Sequence, residues 1–170
     1  MSKLLSICLC LLLLGCGANY NEANLVAAKV TRVFSGQTVE VILSPTTQHA
    51  KVRIIGIDAP DLRQSPWGER AKEKLSELVL GMPVKIEMED VEPDRFNRLN
   101  AHIWQDNTLV SEKLVKEGCV LANMEYPHSY SKLLIDAQEY ARLMGYGIWN
   151  PQQALRQTPA QFRSRINHKY

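Results

Sequence analysis

Apolar and polar side chains alternate along the first third of the chain, which is typical of half-buried β-strands. Valine and isoleucine are frequent in three runs, residues 26–33, 38–43 and 51–57. A short turn at residues 35–37 separates the first two runs, and a loop that begins at Pro45 separates the second from the third. The pattern predicts a meander of three strands.

Helical spacing begins after the third run. Apolar residues recur from Ala71 to Val79 every three or four positions until Gly81 and Pro83 stop the pattern. Ser65 is predicted to cap this helix, and Pro66 to occupy its first turn.

The remaining chain predicts two strands and two more helices. Residues 84–89 alternate apolar with charged side chains, which predicts a strand with Lys85, Glu87 and Glu89 on its outer face, and residues 99–104 predict another strand. The apolar helix faces consist of Leu109, Val110, Leu114 and Val115, and then of Leu133, Leu134, Ala137, Tyr140 and Ala141. About five strands and three helices without an internal repeat predict an α+β fold, a small closed β-barrel that carries helices.

The N-terminus has the pattern of an export signal. Lys3 precedes an apolar run that ends at Leu14, and Gly15 and Cys16 follow. The run is too short to span a bilayer, so residues 1–15 are predicted to be a lipoprotein-type signal peptide with lipid on Cys16. The alternatives are an ordinary cleaved signal or a buried apolar helix. Residues 16–24 are small and polar and suit a tether to a domain at residues 25–149.

Charge and cysteine content limit the function classes. Loss of the signal peptide would lower the formal net charge of +2 by one, so nucleic-acid binding would need a local basic patch. Of four cysteines, Cys119 alone would remain unmodified, which excludes an internal disulfide in the mature chain. The basic segment of residues 150–170 is predicted to be a solvated tail, with contact to a polyanion or membrane as the alternative.

A candidate site lies in residues 52–61. Arg53 is on the predicted third strand, and Asp58 and Asp61 flank Pro60 in the turn that follows. A guanidinium group beside paired carboxylates suits a phosphate ester, because arginine binds its oxygens while carboxylates hold a cation and orient water. The alternative is a surface turn with an ion pair, which contributes little to stability.

Four further motifs lie before and after residues 52–61. They are Val33-Phe-Ser-Gly-Gln-Thr-Val-Glu-Val41, Pro66-Trp-Gly68, Asp94-Arg-Phe-Asn-Arg-Leu99 and Gly145-Tyr-Gly-Ile-Trp149. In order and spacing, the chain from Leu25 to Trp149 resembles the staphylococcal nuclease (thermonuclease) family. The resemblance implies a five-stranded oligonucleotide-binding (OB) barrel with three helices.

The resemblance also implies roles for individual residues. Arg53 and Arg98 match the two arginines that bind the phosphate, and Asp58 matches a carboxylate that holds Ca²⁺. The backbone carbonyl of Ala59 matches a further ligand, and Gln37 stands where the family has an aspartate. Another divalent metal is the alternative to Ca²⁺.

The chain departs from the family pattern in the metal turn and after Pro60. Ser35 and Gln37 replace two acidic residues, which predicts weaker ion binding, although extracellular calcium sites work at about 10⁻⁴ to 10⁻³ M. Asp61 stands where glutamate commonly acts on the attacking water, and it is one methylene shorter. A displacement of about 1 Å can cost about 10²-fold in rate.

Aromatic residues and histidines complete the candidates. Phe96 occupies the place of an aromatic in the loop before Arg98, and Tyr126 is predicted to stack on a base or, alternatively, to pack at the rim. The four histidines show no metal-ligand spacing, and surface or capping roles are expected for them.

Two functions follow as hypotheses. The first is an exported, lipid-anchored or secreted nuclease, a monomer, that cleaves DNA or RNA phosphodiesters with divalent-metal assistance, Arg53, Asp61 and Arg98 being catalytic. The second is a catalytically silent barrel that binds nucleic acid, another polyanion or a protein, which the loss of acidic residues at Ser35 and Gln37 favours. A structural envelope lipoprotein is a remote third.

Overall fold

The structure is a computed structural model that describes residues 25–89 and 92–167. The predicted signal peptide, Cys16 and the tether lie outside the described residues. Within them, no helix is both long enough and apolar enough to cross a membrane.

Five strands form a closed barrel. They are β1 (Leu25–Ser35), β2 (Thr38–Leu43), β3 (His49–Ile54), β5 (Pro83–Met88) and β6 (Arg98–Gln105). Their order is β3, β2, β1, β5, β6, and parallel pairing of β6 with β3 closes the sheet. The predicted α+β, OB-type barrel is confirmed.

The other elements lie around the barrel. The strands are β4 (Ile57–Asp58), β7 (Thr108–Leu109) and β8 (Leu121–Ala122), and the helices are α1 (Trp67–Val79), α2 (Val110–Lys116), α3 (Ser131–Met144) and α4 (Pro159–Asn167). The three predicted helices correspond to α1, α2 and α3. The third predicted strand is divided into β3 and β4, because Gly56 has a φ of +74° and turns the chain between them.

The barrel interior explains why the alternating pattern forms strands. Val30, Val39, Val52, Ile86 and Ile103 come from five different strands and are fully buried. Their β-branched side chains fill the space between the strands and the helices. Ala71, Leu75 and Val79 add the buried face of α1, as their spacing predicts.

The predicted cap of α1 is wrong. The helix begins at Trp67, Pro66 holds the N-cap position, and no side chain caps the first turn. Ser65 precedes the N-cap position, from which a side chain normally bonds to the first free amides.

The predicted charged outer face of β5 is also wrong at Glu87. This residue is 8% exposed, and its carboxylate accepts hydrogen bonds from Trp104 Nε1 at 2.7 Å and from the Tyr130 hydroxyl at 2.8 Å. The two aromatic residues cover that face, so the carboxylate is buried with its partners.

His102 differs from the expectation of a surface or capping role, because it is fully buried on β6. The ring packs against the rings of His128 at 5.1 Å and Tyr130 at 4.6 Å. Cys119 is free and half-buried, and burial raises the pKa of its thiol to about 11.

The predicted solvated tail is only partly correct. Its described part contains α4, whose residues are largely exposed. However, Arg163 on this helix contacts Asp58 in the candidate site, so the segment is docked rather than free.

Candidate active site

Arg53 lies on β3, where its backbone pairs with Thr38 on one side and Asn100 on the other. Its guanidinium group donates to the carbonyl oxygens of Ile54 and, at 2.7 Å, of Ile57. Backbone carbonyls therefore orient this arginine, and no hydrogen bond to a carboxylate is among these contacts. Its remaining donors suit an anionic ligand.

Burial lowers the pKa of Arg53 to about 10, and the group stays protonated at neutral pH. Among its charged neighbours, Asp58 opposes this shift, whereas Arg98 and Arg163 add to it. Three arginines and two aspartates, Asp58 and Asp94, thus interact electrostatically at this end of the barrel.

Arg98 is positioned by the loop before β6. The Asp94 carboxylate accepts hydrogen bonds from the backbone amides of Phe96 at 2.9 Å and Arg98 at 3.0 Å. It also accepts from Arg98 Nε at 2.9 Å and Nη2 at 2.6 Å. Asp94 therefore folds the loop and directs the guanidinium group.

The two arginines share a cavity. A cavity of about 380 Å³ is lined by Arg53, Arg98, Asn100, Tyr126 and His128, among others. Tyr126 is 74% exposed at this cavity. Arg53, Arg98 and Tyr126, which the sequence predicts as site residues, therefore line one cavity, whereas Phe96, the other predicted aromatic, is not among its described lining residues.

Phe96 lies on the other side of Arg98. It is 59% exposed, and its ring centroid is 5.0 Å from the Arg98 guanidinium carbon. A neighbouring cavity of about 390 Å³ is lined by Phe96, Arg98, Phe34 and Lys51, among others. Phe34 and Lys51 were not predicted as site residues, and their local signal was their place on strands next to the candidate turn.

Gln37 connects the first turn to the second. Its Oε1 atom accepts the backbone N–H of Ala59 at 2.6 Å. The first turn packs tightly, because a Cβ atom on Gly36 would lie 2.6 Å from the Cβ of Ala71. Glycine at this position lets the turn approach α1 and places Gln37 beside Ala59.

Asp58 is paired with Arg163. Arg163 donates from Nη1 at 2.8 Å and from Nη2 at 2.9 Å to the two carboxylate oxygens. The Asp58 side chain is 11% exposed, and its hydrogen bonds raise the pKa of Arg163. This pair was not predicted from the sequence, in which the basic character of the C-terminal segment was its one local signal.

Asp61 is directed toward Arg63. Its carboxylate oxygens accept from Arg63 Nε and Nη2, both at 2.8 Å, and these bonds lower the pKa of Asp61. Neither Asp58 nor Asp61 is among the described residues that line the Arg53–Arg98 cavity. The roles predicted for both carboxylates remain predictions.

The predicted metal ligands have the right kind of donor atom for a divalent cation, but they supply a single negative charge. The Asp58 carboxylate, the Gln37 amide oxygen and the Ala59 carbonyl are hard oxygen ligands, which Ca²⁺ and Mg²⁺ prefer. In the described part of the chain, no three histidine, cysteine or acidic side chains are grouped to hold a metal ion. One carboxylate with neutral oxygens suits a weak site.

Comparison with known proteins gives a family for this arrangement. Residues 51–151 match the family model described as Staphylococcal nuclease homologue. The thermonuclease of Staphylococcus hyicus is 29% identical over 139 residues, covering 78% of this chain and 81% of that protein. An uncharacterized endonuclease of Haemophilus influenzae is 30% identical over 121 residues, which cover 71% of this chain and 65% of that protein.

A third relative is also named as an endonuclease. Endonuclease YncB of Bacillus subtilis is 30% identical over 140 residues, covering 76% of this chain and 64% of that protein. The family match includes Arg53, Asp58 and Arg98 and spans more than half of the chain. Together with the closed barrel, it shows that the chain belongs to the staphylococcal nuclease family.

Proposed function

We propose that the protein is a nuclease that hydrolyses phosphodiester bonds of DNA or RNA. The observation that carries this proposal is the convergence of Arg53 and Arg98 on one cavity. Two charged guanidinium groups bind the phosphate and neutralise the charge that grows on it during attack. The relatives named as nucleases support the same chemistry.

Each arginine has a distinct part in this mechanism. Arg53, held by two backbone carbonyls, offers its remaining N–H groups to the non-bridging oxygens in a fixed orientation. Arg98, held by Asp94, approaches from the neighbouring strand. Tyr126 and Phe96, both exposed, provide rings on which bases adjacent to the scissile phosphate stack.

Metal assistance belongs to the same proposal. A divalent ion, Ca²⁺ in the first instance, is assigned to Asp58, Gln37 and the Ala59 carbonyl, where it would supply positive charge and acidify water. Asp61 orients the attacking water, and this role requires its carboxylate to exchange Arg63 for water. Lipid attachment at Cys16 and export complete the proposal, supported by the apolar run before that cysteine.

A cleavage assay tests the nuclease. The full chain, extracted in detergent, is incubated with labelled single-stranded DNA, double-stranded DNA or RNA in millimolar calcium, magnesium or chelator. Arg53→Gln and Arg98→Gln are each expected to lose about 10² to 10³-fold in rate. The matched control is Arg142→Gln, which removes an exposed arginine paired with Glu139, and it should cleave at the wild-type rate.

The silent binding module remains the second candidate. It is favoured by the pairing of both site carboxylates with arginines, Asp58 with Arg163 and Asp61 with Arg63. If no ion supports cleavage above the level of the two site variants, while wild type binds single-stranded DNA more tightly than they do, the nuclease proposal is wrong. The binding function then takes its place.

A further inference from the structure

The ion pair between Asp58 and Arg163 joins the candidate metal carboxylate to the C-terminal helix. The two residues are 105 positions apart in the chain, and both carboxylate oxygens accept from the same guanidinium group. Asp58 is a buried residue, 8% exposed, whereas the Arg163 side chain is 44% exposed, so the carboxylate is shielded from solvent and the guanidinium group is partly open to it. Loss of Arg163 alone would remove both charge-assisted hydrogen bonds from a buried carboxylate, and the electrostatic attraction of Arg53 would remain.

Helix α4 is held to the domain at few places. Pro159 is its one buried residue, and a hydrogen bond of 2.9 Å from Gln64 Nε2 to the Gln157 carbonyl precedes it. The Phe162 ring lies 5.6 Å from the Arg63 guanidinium carbon. A cavity of about 430 Å³ lies between residues 64–67 and residues 151–157, and Phe162 is the residue of α4 that lines it. The helix can therefore leave without opening the barrel core.

The same carboxylate is the strongest oxygen ligand assigned to the divalent ion. A cation that binds Asp58 directly would stand within a few ångströms of the Arg163 guanidinium group, and like charges at that distance repel each other strongly in a partly buried site. The neutral oxygens of Gln37 and Ala59 add no negative charge that would reduce this repulsion. The ion and the arginine therefore compete for one negative charge.

We propose that Arg163 is the resident counter-ion of Asp58, that a divalent cation binds this carboxylate only by displacing it, and that cation binding thereby releases α4. The inference rests on the proposed metal site and deepens it by naming the residue that sets its affinity. Thermodynamic reciprocity then requires that docking of α4 weakens cation binding by the same factor by which the cation weakens docking. Arg163 therefore neutralises the Asp58 carboxylate until the ion is abundant.

Direct measurement of calcium binding tests the competition without any assay of activity. The full chain in detergent is titrated with calcium by calorimetry, as wild type, Arg163→Ala and Arg163→Gln. Each Arg163 variant is expected to bind calcium about tenfold more tightly than wild type, because the ion no longer breaks a charge-assisted hydrogen-bonded pair. Arg165→Ala is the matched control on the same helix, and it should bind as wild type does.

Hydrogen exchange provides a second readout that requires no variant. Amides of residues 159–167 in wild type should exchange faster in saturating calcium, while amides of the barrel strands stay protected. Unchanged exchange in α4, equal calcium affinity of wild type and both Arg163 variants, or no calcium binding in any of them would overturn the inference. The inference would also be overturned if wild type cleaved in chelator and Arg163→Gln did not. Arg163 itself would then supply the catalytic charge.

The two proposals fail separately. A chain that binds calcium with release of α4 but cuts no substrate keeps this inference and defeats the nuclease. A chain that cuts with calcium, while Arg163→Ala and wild type bind the ion equally, keeps the nuclease and defeats the competition.

Discussion

Glu87 illustrates how individual residues depart from a regular pattern. Its position on β5 predicts exposure, yet its carboxylate lies under Trp104 and Tyr130 and accepts a hydrogen bond from each. A buried carboxylate requires such donors, since an unsatisfied one is costly. The rule that charged residues point outward therefore fails where two aromatic donors are available.

Tyr130→Phe tests the energetic role of this pair. The variant keeps the ring but removes the hydroxyl that donates to Glu87, and we expect the free energy of unfolding to fall by about 1 to 3 kcal/mol. Urea unfolding measures the change. Tyr126→Phe, at an exposed ring, should change it by less than about 0.5 kcal/mol; equal effects at both positions would contradict the role of the buried bond.

At the scale of elements, one glycine sets the distance between the first turn and α1. The turn at Gly36 follows β1, and it packs against Ala71 on the helix and Ala59 in the second turn. The turn presents Gln37 to Ala59, so the packing of a turn on a helix positions a predicted ligand. Glycine is required at position 36 because the turn lies so close to Ala71 and Ala59.

Gly36→Ala should therefore destabilise the protein by about 1 to 3 kcal/mol through overpacking. The same substitution in an Ala71→Gly background should cost less, because the added methyl group then has space. A double-mutant cycle of unfolding free energies measures this coupling. Strict additivity of the two substitutions would show that the contact between the turn and the helix is not the cause.

At the scale of the whole molecule, we expect stability to depend on the protonation of His102. Burial, with the charge of His128 as the second cause, lowers the pKa of His102 to about 3 from 6.5. Glu89 lies 3.7 Å from its Nε2 atom. Because the folded pKa is below the unfolded one, the neutral ring stabilises the fold fully above pH 6.5, and this contribution is lost as pH falls toward 3.

His102→Gln removes this titration. The difference in unfolding free energy between wild type and the variant should fall by about 1.4 kcal/mol for each pH unit below the unfolded pKa. Urea unfolding at a series of pH values between neutral and acidic measures it. A difference that is constant with pH would show that His102 titrates alike in the folded and unfolded chain.

Much of this protein was predictable from its sequence. The five barrel strands and α1 to α3 follow from local periodicity, because the spacing of apolar residues in a segment determines which of its faces is buried. Arg53 and Arg98 followed from their motifs, and the parallel pairing of β3 with β6 brings them to one cavity. Their roles in catalysis stay predictions.

The tertiary structure alone decided which distant groups meet. Burial of Glu87 and His102 depends on the aromatic residues that cover them, and the pairing of Asp58 with Arg163 depends on the path of the chain after α3. Local sequence determined strands, helices and turns, because backbone preferences and the spacing of apolar residues act over a few positions. The contact between residues 105 positions apart depends on where the folded barrel brings Asp58 and α4 together, and no local sequence pattern encodes that position.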